Sequence, residues 1–199
     1  MNDSADPEIH RIVQRVLDQA LGLSRQTTKP AGSSAQAQPQ APIESQPRDR
    51  NVVAIGADHG GFELKEILKA ELPGLGFDVV DVGTHSKDAV DYPDIAHEVA
   101  NLVSAGKAWR GIIIDGAGIG SCIVANKIPG VRAGMAYDHS SAVNSREHND
   151  TNVLTLGAGL LGVNLAKQIV QTWLSTVFGG GRHARRVDKI VAIEKLYLK

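Results

Sequence analysis

The apolar positions of this chain change period along its length, and the changes mark out elements. Ile112, Ile113 and Ile114 form a continuous β-branched run, the pattern of a short strand buried on both faces of a parallel sheet. The run stops at Asp115, glycines follow at 116, 118 and 120, and Ser121 to Lys127 reads as the first turns of a helix. VVAIGAD from Val52 is a second buried strand, closed by Asp58-His59-Gly60-Gly61. A helix from Phe62 to Leu72 follows it, with Phe62, Leu64, Ile67, Leu68 and Leu72 available for its buried face. Further strands are expected at Phe77–Val82, Val131–Ala136 and Asn152–Leu156. Helices are expected from about Ile95 to Ala105, at Ser140–Glu147 and at Leu161–Val177, with Asp91-Tyr92-Pro93 in a loop. The tail, Arg182 to Lys199, is basic at first and then helical. Strands alternating with helices predict an α/β domain over residues 51–199, a five-stranded parallel sheet with helices on both faces.

Residues 1–25 follow a different pattern. Ile9, Ile12, Val13, Val16, Leu17, Ala20 and Leu21 recur at helical spacing and form one apolar stripe, with His10, Arg11, Gln14, Arg15, Asp18 and Gln19 opposite. Asp6 is a good N-cap, Pro7 sits at the favoured first position, and Gly22 is a natural stop. Residues 26–50 are rich in Gln, Ala, Pro and Ser, with almost no apolar residue beyond Ile43. Such a stretch buries too little surface to offset its chain entropy and reads as a disordered linker. The short amphipathic helix on this tether is a candidate docking peptide, a coiled-coil half, or a helix packed on the main domain.

Composition narrows the classes. A net charge of −1 excludes a general nucleic-acid footprint. The single cysteine, Cys122, rules out an intramolecular disulfide and suits a reducing cytosol. The start, Met-Asn-Asp-Ser-Ala-Asp, lacks the basic and apolar regions of a secretory signal. No run approaches the roughly 18 apolar residues of a membrane span, so no membrane partner is expected.

The candidate chemistry gathers where the central strand ends. Strand, glycine-rich turn and helix start form the arrangement that sets backbone N–H groups around an anion. An Asp at the carboxyl end of a central strand faces the crevice where open α/β sheets bind ligands. The spacing from Gly116 is G-x-G-x-G, which departs from the dinucleotide fingerprint and makes a nucleotide module the weakest reading. Taken singly, Asp58-His59 reads equally as a helix cap, His148-Asn149-Asp150 as a polar loop, and Arg182, Arg185 and Arg186 as a solvated basic tail.

Taken together, five motifs carry a resemblance. Val53-Ala-Ile-Gly-Ala-Asp-His-Gly-Gly-Phe62, Asp91-Tyr92-Pro93, the Asp115–Lys127 loop, His148-Asn149-Asp150-Thr151-Asn152, and Gly181-Arg182-His183 with Arg186 resemble the ribose-5-phosphate isomerase B family, which includes the galactose-6-phosphate isomerase subunits. The resemblance runs from about Val52 to Glu194. It implies a Rossmann-like three-layer αβα fold, and a homodimer, or a tetramer built from it, with active sites shared between subunits. It also implies cofactor- and metal-free aldose–ketose isomerisation of a phosphorylated sugar through an enediolate. His148 matches the residue that opens the cyclic sugar, a task suited to imidazole near neutral pH. Arg182 and Arg186 match phosphate ligands, and His59 is similarly placed. Tyr92 and Asn149 match sugar contacts, and Asp58 lines the same mouth. The amides of Gly116, Ala117, Gly118, Ile119 and Gly120 are expected to hold the enediolate oxygen. His85, His97, His139 and His183 match no role.

Two positions depart from the family pattern. Many members carry a cysteine as carbon base where Asp115 stands; others place a glutamate where Ser121 stands. Asp115 is therefore expected to be the base, with Cys122 structural. Gly159 replaces an arginine that binds phosphate in some relatives. The function expected is interconversion of ribose 5-phosphate and ribulose 5-phosphate; the alternatives are an isomerase of another four- or six-carbon sugar phosphate, or a non-catalytic sugar-phosphate binder. The N-terminal helix and linker resemble encapsulation peptides that bind bacterial-microcompartment shell protein, here through residues 7–21. That implies a cytoplasmic location within the compartment lumen.

Overall fold

The computed structural model describes residues 52–198. The amphipathic helix and linker expected within residues 1–50 lie outside the described residues.

Five parallel strands form the sheet: β1 (Val52–Ala57), β2 (Asp78–Asp81), β3 (Arg110–Asp115), β4 (Ala133–Met135) and β5 (Val153–Gly157), in the order β2-β1-β3-β5-β4. The described helices are α1 (Phe62–Glu71), α2 (Tyr92–Ser104), α3 (Ile119–Ala125), α4 (His139–Glu147), α5 (Val163–Ser175) and α6 (Arg182–Tyr197). Alternation along β3 divides the core. Ile112 and Ile114 pack with Leu64 and Leu68 of α1, Ala142 of α4, and Ile169 and Trp173 of α5. Ile113 packs with Ala96, Val99 and Val103 of α2 and Ala125 of α3 on the other face. A continuous apolar run is what a strand covered on both faces requires, and the three-layer α/β fold follows.

Several boundaries differ from expectation for local reasons. Pro73 ends α1 early: Leu72–Leu75 tightens into a 3₁₀ turn closed by Gly76 at φ 89°. Pro93 starts α2 rather than lying in a loop before it, because proline suits a first helical turn. The outer strands β2 and β4 are shorter than their apolar runs, and α6 begins directly at Arg182.

This topology places the site. The chain moves from β1 outward to β2, then crosses back to β3 on the other side of β1. The β1–α1 and β3–α3 connections therefore leave toward opposite faces and open a crevice between them at the carboxyl ends of the strands. Ala57 pairs with Ile114 in register, so Asp58 and Asp115 follow side by side at the rim.

Candidate active site

The Gly116–Gly120 turn is built around the Asp115 carboxylate. Oδ1 accepts from the Ala117 amide at 2.8 Å and from the Gly118 amide. Oδ2 accepts from the Ser121 amide at 3.0 Å and the Ser121 hydroxyl at 2.5 Å. Asp115 is only 4% exposed and Ser121 is fully buried. A carboxylate offers about four lone-pair positions, and all four face donors. Gly118 sits at φ 79°, and a Cβ there would lie 2.9 Å from the Leu156 carbonyl carbon, so both its conformation and its neighbour demand glycine.

This geometry bears on two expectations. Asp115 is not a free base: it can take a carbon proton only by giving up a donor that holds the turn. The Ala117 and Gly118 amides are not open to an oxyanion either, because they are committed to Asp115. The amides of Gly116, Ile119 and Gly120 have no hydrogen-bond partner among the described residues and remain open to ligand.

The β1 side supplies the remaining groups of this mouth. The Asp58 amide donates to the Ile114 carbonyl at 3.1 Å, tying the two strand ends together. Asp58 Oδ1 accepts from the Gly61 amide at 2.9 Å, and the residue is 9% exposed. Exposed His59 places Nδ1 3.3 Å from the Val90 carbonyl oxygen. The Tyr92 ring crosses from α2 onto α3; a Cβ on Gly120 would lie 2.5 Å from its Cε2 and Cζ. Gly159 donates its amide to the Gly116 carbonyl at 3.0 Å, and a side chain there would press on that same oxygen. Cys122 is half-buried within α3, with Sγ directed to the Ala133 carbonyl at 3.6 Å. Burial pushes its thiol above the ordinary range, as expected of a structural cysteine.

The other expected residues lie at the opposite pole of the sheet. His148 and Asn149 follow the end of α4 and lead into the start of β5, where Val153 pairs with Gly111 at the beginning of β3. Gly111 and Asp115 are separated by the length of the strand, about 13 Å at the usual rise. Asp150, at φ 47°, fixes this loop by accepting from Arg132 at 2.9 Å and Arg146 at 2.8 Å. The Gly179 amide donates to the Glu147 carbonyl at 2.9 Å, which brings the start of α6, with Arg182 and Arg186, to the same pole.

His183, to which the sequence assigns no role, belongs to this second group. Its ring stacks on His148 with centroids 4.1 Å apart and planes inclined by 8°. Arg182 Nε donates to His183 Nε2 at 3.3 Å, while the buried His183 Nδ1 has no partner among the described residues. Loss of hydration, aided by His148, Arg182 and Arg186, holds His183 below the ordinary imidazole range and favours its neutral form. Asn144 Nδ2 lies 2.8 Å from His148 Nδ1 and sets the other side of that ring. No spacing rule joins His148 to His183 along the chain; only the packing of α6 against the end of α4 does. Ser121 was equally hidden, since its value lies in bonding an aspartate six residues earlier.

Carboxyl-edge crevice, open amides and a distant cluster of imidazole and guanidinium groups are the parts of an aldose–ketose isomerase acting on a phosphorylated sugar. The chain matches the ribose/galactose isomerase family over residues 53–190 and belongs to it. It is 47% identical to ribose-5-phosphate isomerase B of Escherichia coli over 143 residues, covering 72% of this chain and 96% of that protein. It is 42% identical to a D-erythrulose-4-phosphate isomerase of Pectobacterium atrosepticum, covering 69% of this chain and 91% of that one. Among solved structures, Clostridium thermocellum ribose-5-phosphate isomerase B superimposes with a TM-score of 0.72 at 49% identity, covering 73% of this chain and 99% of that one.

The Asp115 anchor makes a direct prediction. Asp115→Asn presents an amide NH₂ to donors that need an acceptor. It should lower unfolding stability by about 1.5–3 kcal/mol, the scale of hydrogen bonds to a charged group, read as a shifted midpoint in urea. An unchanged midpoint would show that the turn holds without the carboxylate.

Proposed function

We propose that this protein interconverts ribose 5-phosphate and ribulose 5-phosphate through an enediolate. The observation that carries the reading is the crevice between β1 and β3, where Asp58, His59 and Tyr92 surround the open amides of Gly116, Ile119 and Gly120. The identities of 47% and 49% to chains described as ribose-5-phosphate isomerase B favour the pentose. In this reading the open amides hold the enediolate oxygen, where fixed donors act most strongly on developing charge. Tyr92 and Asn149 contact sugar hydroxyls. His148 moves the proton that opens the ring, with its plane set by His183 and Asn144. Arg182 and Arg186 bind the phosphate together with His59.

One protomer does not bring these groups together, since the strands separate the crevice from the His148–Arg186 cluster. We therefore assign the second half of each site to a partner copy, making the working enzyme a homodimer with two shared sites. A twofold dimer pairs each pole with its opposite twice over.

A four-carbon sugar phosphate is the second reading. It is favoured by the identity to the D-erythrulose-4-phosphate isomerase and by Gly159, which leaves out the cation some relatives supply there.

Residues 7–21, on the tether of residues 26–50, are proposed to dock on a bacterial-microcompartment shell protein and carry the enzyme into the lumen. A helix of about four turns is marginal alone in water, so its apolar stripe calls for a partner. A tether of this composition gives an r.m.s. reach on the order of 25–30 Å.

A panel of four-, five- and six-carbon aldose phosphates, assayed for ketose formation, should show the highest kcat/KM on ribose 5-phosphate. A preference for the four-carbon sugar would move the assignment to the second reading, and inertness on all of them would leave a binding protein.

The shared site is tested by mixing. Asp58→Asn and the double variant Arg182→Ala/Arg186→Ala should each be inactive alone. Unfolded and refolded together in equal amounts, they should recover about a quarter of wild-type activity, because half the dimers regain one intact site. No recovery would refute sharing.

Removing residues 1–50 should leave kcat and KM unchanged. Residues 1–25 fused to a fluorescent protein should enter compartments assembled in the same cell, and Ile12→Glu with Leu17→Glu should keep the fusion outside. Lost activity or diffuse fluorescence of the unaltered fusion would overturn the docking role.

A further inference from the structure

We infer that Asp58 is the carbon base of this enzyme, an assignment that rests on the isomerase reading above. The transfer needs an acceptor beside the donor that holds the enediolate oxygen. Groups near the crevice differ sharply in what they have left to offer. Both Asp115 oxygens are saturated by the turn. The Ser121 hydroxyl is spent on Asp115 and fully buried. Cys122 turns its sulfur away toward Ala133, and burial keeps it a thiol. His59 is exposed and has Nδ1 held against the Val90 peptide.

Asp58 differs from each of these. Only Oδ1 is engaged, by the Gly61 amide; Oδ2 has no partner among the described residues. The bond to Gly61 fixes the plane of the carboxylate, and the bond from its amide to Ile114 fixes its backbone. The free amide of Gly116 lies next to it. A Cβ placed on Gly60 would sit 3.3 Å from Asp58 Oδ1 and 3.9 Å from the Gly116 nitrogen. The Asp58 carboxylate and the Gly116 nitrogen thus both border the bare side of Gly60. Asp58 directly precedes His59, so the reacting end and the phosphate are read by adjacent residues.

The atoms balance without any further reactant. Asp58 takes the proton from C2 of the open-chain aldose. The C–H pair becomes the C1–C2 double bond, and the carbonyl pair moves onto O1, which the Gly116 amide holds. The O2 proton passes to O1 as the C2 carbonyl forms, and Asp58 returns its proton to C1. A carboxylate suits this work because one oxygen reaches both carbons of the planar enediolate.

The division of labour between the two aspartates makes the assignment testable on the full-length protein. Asp58→Asn should reduce kcat at least about 1,000-fold, within the range for loss of a positioned base. Its melting temperature and its affinity for ribose 5-phosphate by calorimetry should stay near wild type. It should also stop washing deuterium from [2-²H]ribose 5-phosphate into water, and Asp58→Glu should restore part of that exchange. Asp115→Asn, assayed well below its lowered melting temperature, should loosen the turn yet keep washing out deuterium, with a smaller loss of kcat than Asp58→Asn. If Asp58→Asn still exchanges within tenfold of wild type, the assignment is wrong while the isomerase reading stands. It is equally wrong if Asp115→Asn melts normally and has lost exchange. A wild-type protein that isomerises no aldose phosphate would overturn both.

Discussion

The active-site architecture depends on one buried carboxylate meeting four donors. Asp115 draws the Ala117 and Gly118 amides and both donors of Ser121 onto its two oxygens, and the backbone between them is bent into a turn with Gly118 in the left-handed region. Two secondary contacts follow. The Asp115 carbonyl accepts from the Ala158 amide at 2.8 Å, and the Gly116 carbonyl accepts from Gly159 at 3.0 Å, so the turn is also moored to the end of β5. The amides of residues 117, 118 and 121 are spent on Asp115, and those of 116, 119 and 120 are left unpaired among the described residues. The anchor therefore decides which backbone donors a ligand meets, although it need not touch the ligand itself.

The second constraint is the direction of the sheet. In a parallel sheet every strand ends on the same side, so side chains following strands and side chains preceding them occupy different poles. Asp58 and Asp115 follow β1 and β3; His148 and Asn149 precede β5, and α6 begins beside them. A site needing both sets cannot be closed by loop movement across the length of a strand. In the dimer proposed above, association of two copies brings the two sets together. The apolar side chains that α3 and α6 leave outside, among them Ile119, Ile123, Ile190 and Ile193, provide surface for contact.

Much of this was legible in the sequence because it rests on local rules. The isoleucine run of β3 announced a strand covered on both faces, and alternation of strands with helices announced the parallel sheet. The Asp58 and Asp115 positions could be placed at strand ends for the same reason. What escaped was whatever depends on how a polar group spends its bonds. Asp115 reads in sequence as an acid at the right place, and only the geometry reveals that its lone pairs are occupied. His183 reads as a neighbour of Arg182 and becomes a partner of His148 through helix packing alone. Prolines moved two boundaries, Pro73 by shortening α1 and Pro93 by starting α2 ahead of its first apolar residue, Ile95.

The contact between Tyr92 and Gly120 bears on how such a site changes over evolutionary time. The aromatic ring occupies the volume into which any side chain at position 120 would have to grow. A larger residue at 120 fits only if the Tyr92 ring swings aside or position 92 becomes smaller. The two positions are thus coupled in sequence space. Lineages that remodel this wall must move the Tyr92 ring from its seat on α3, so a change at either position is felt at the other.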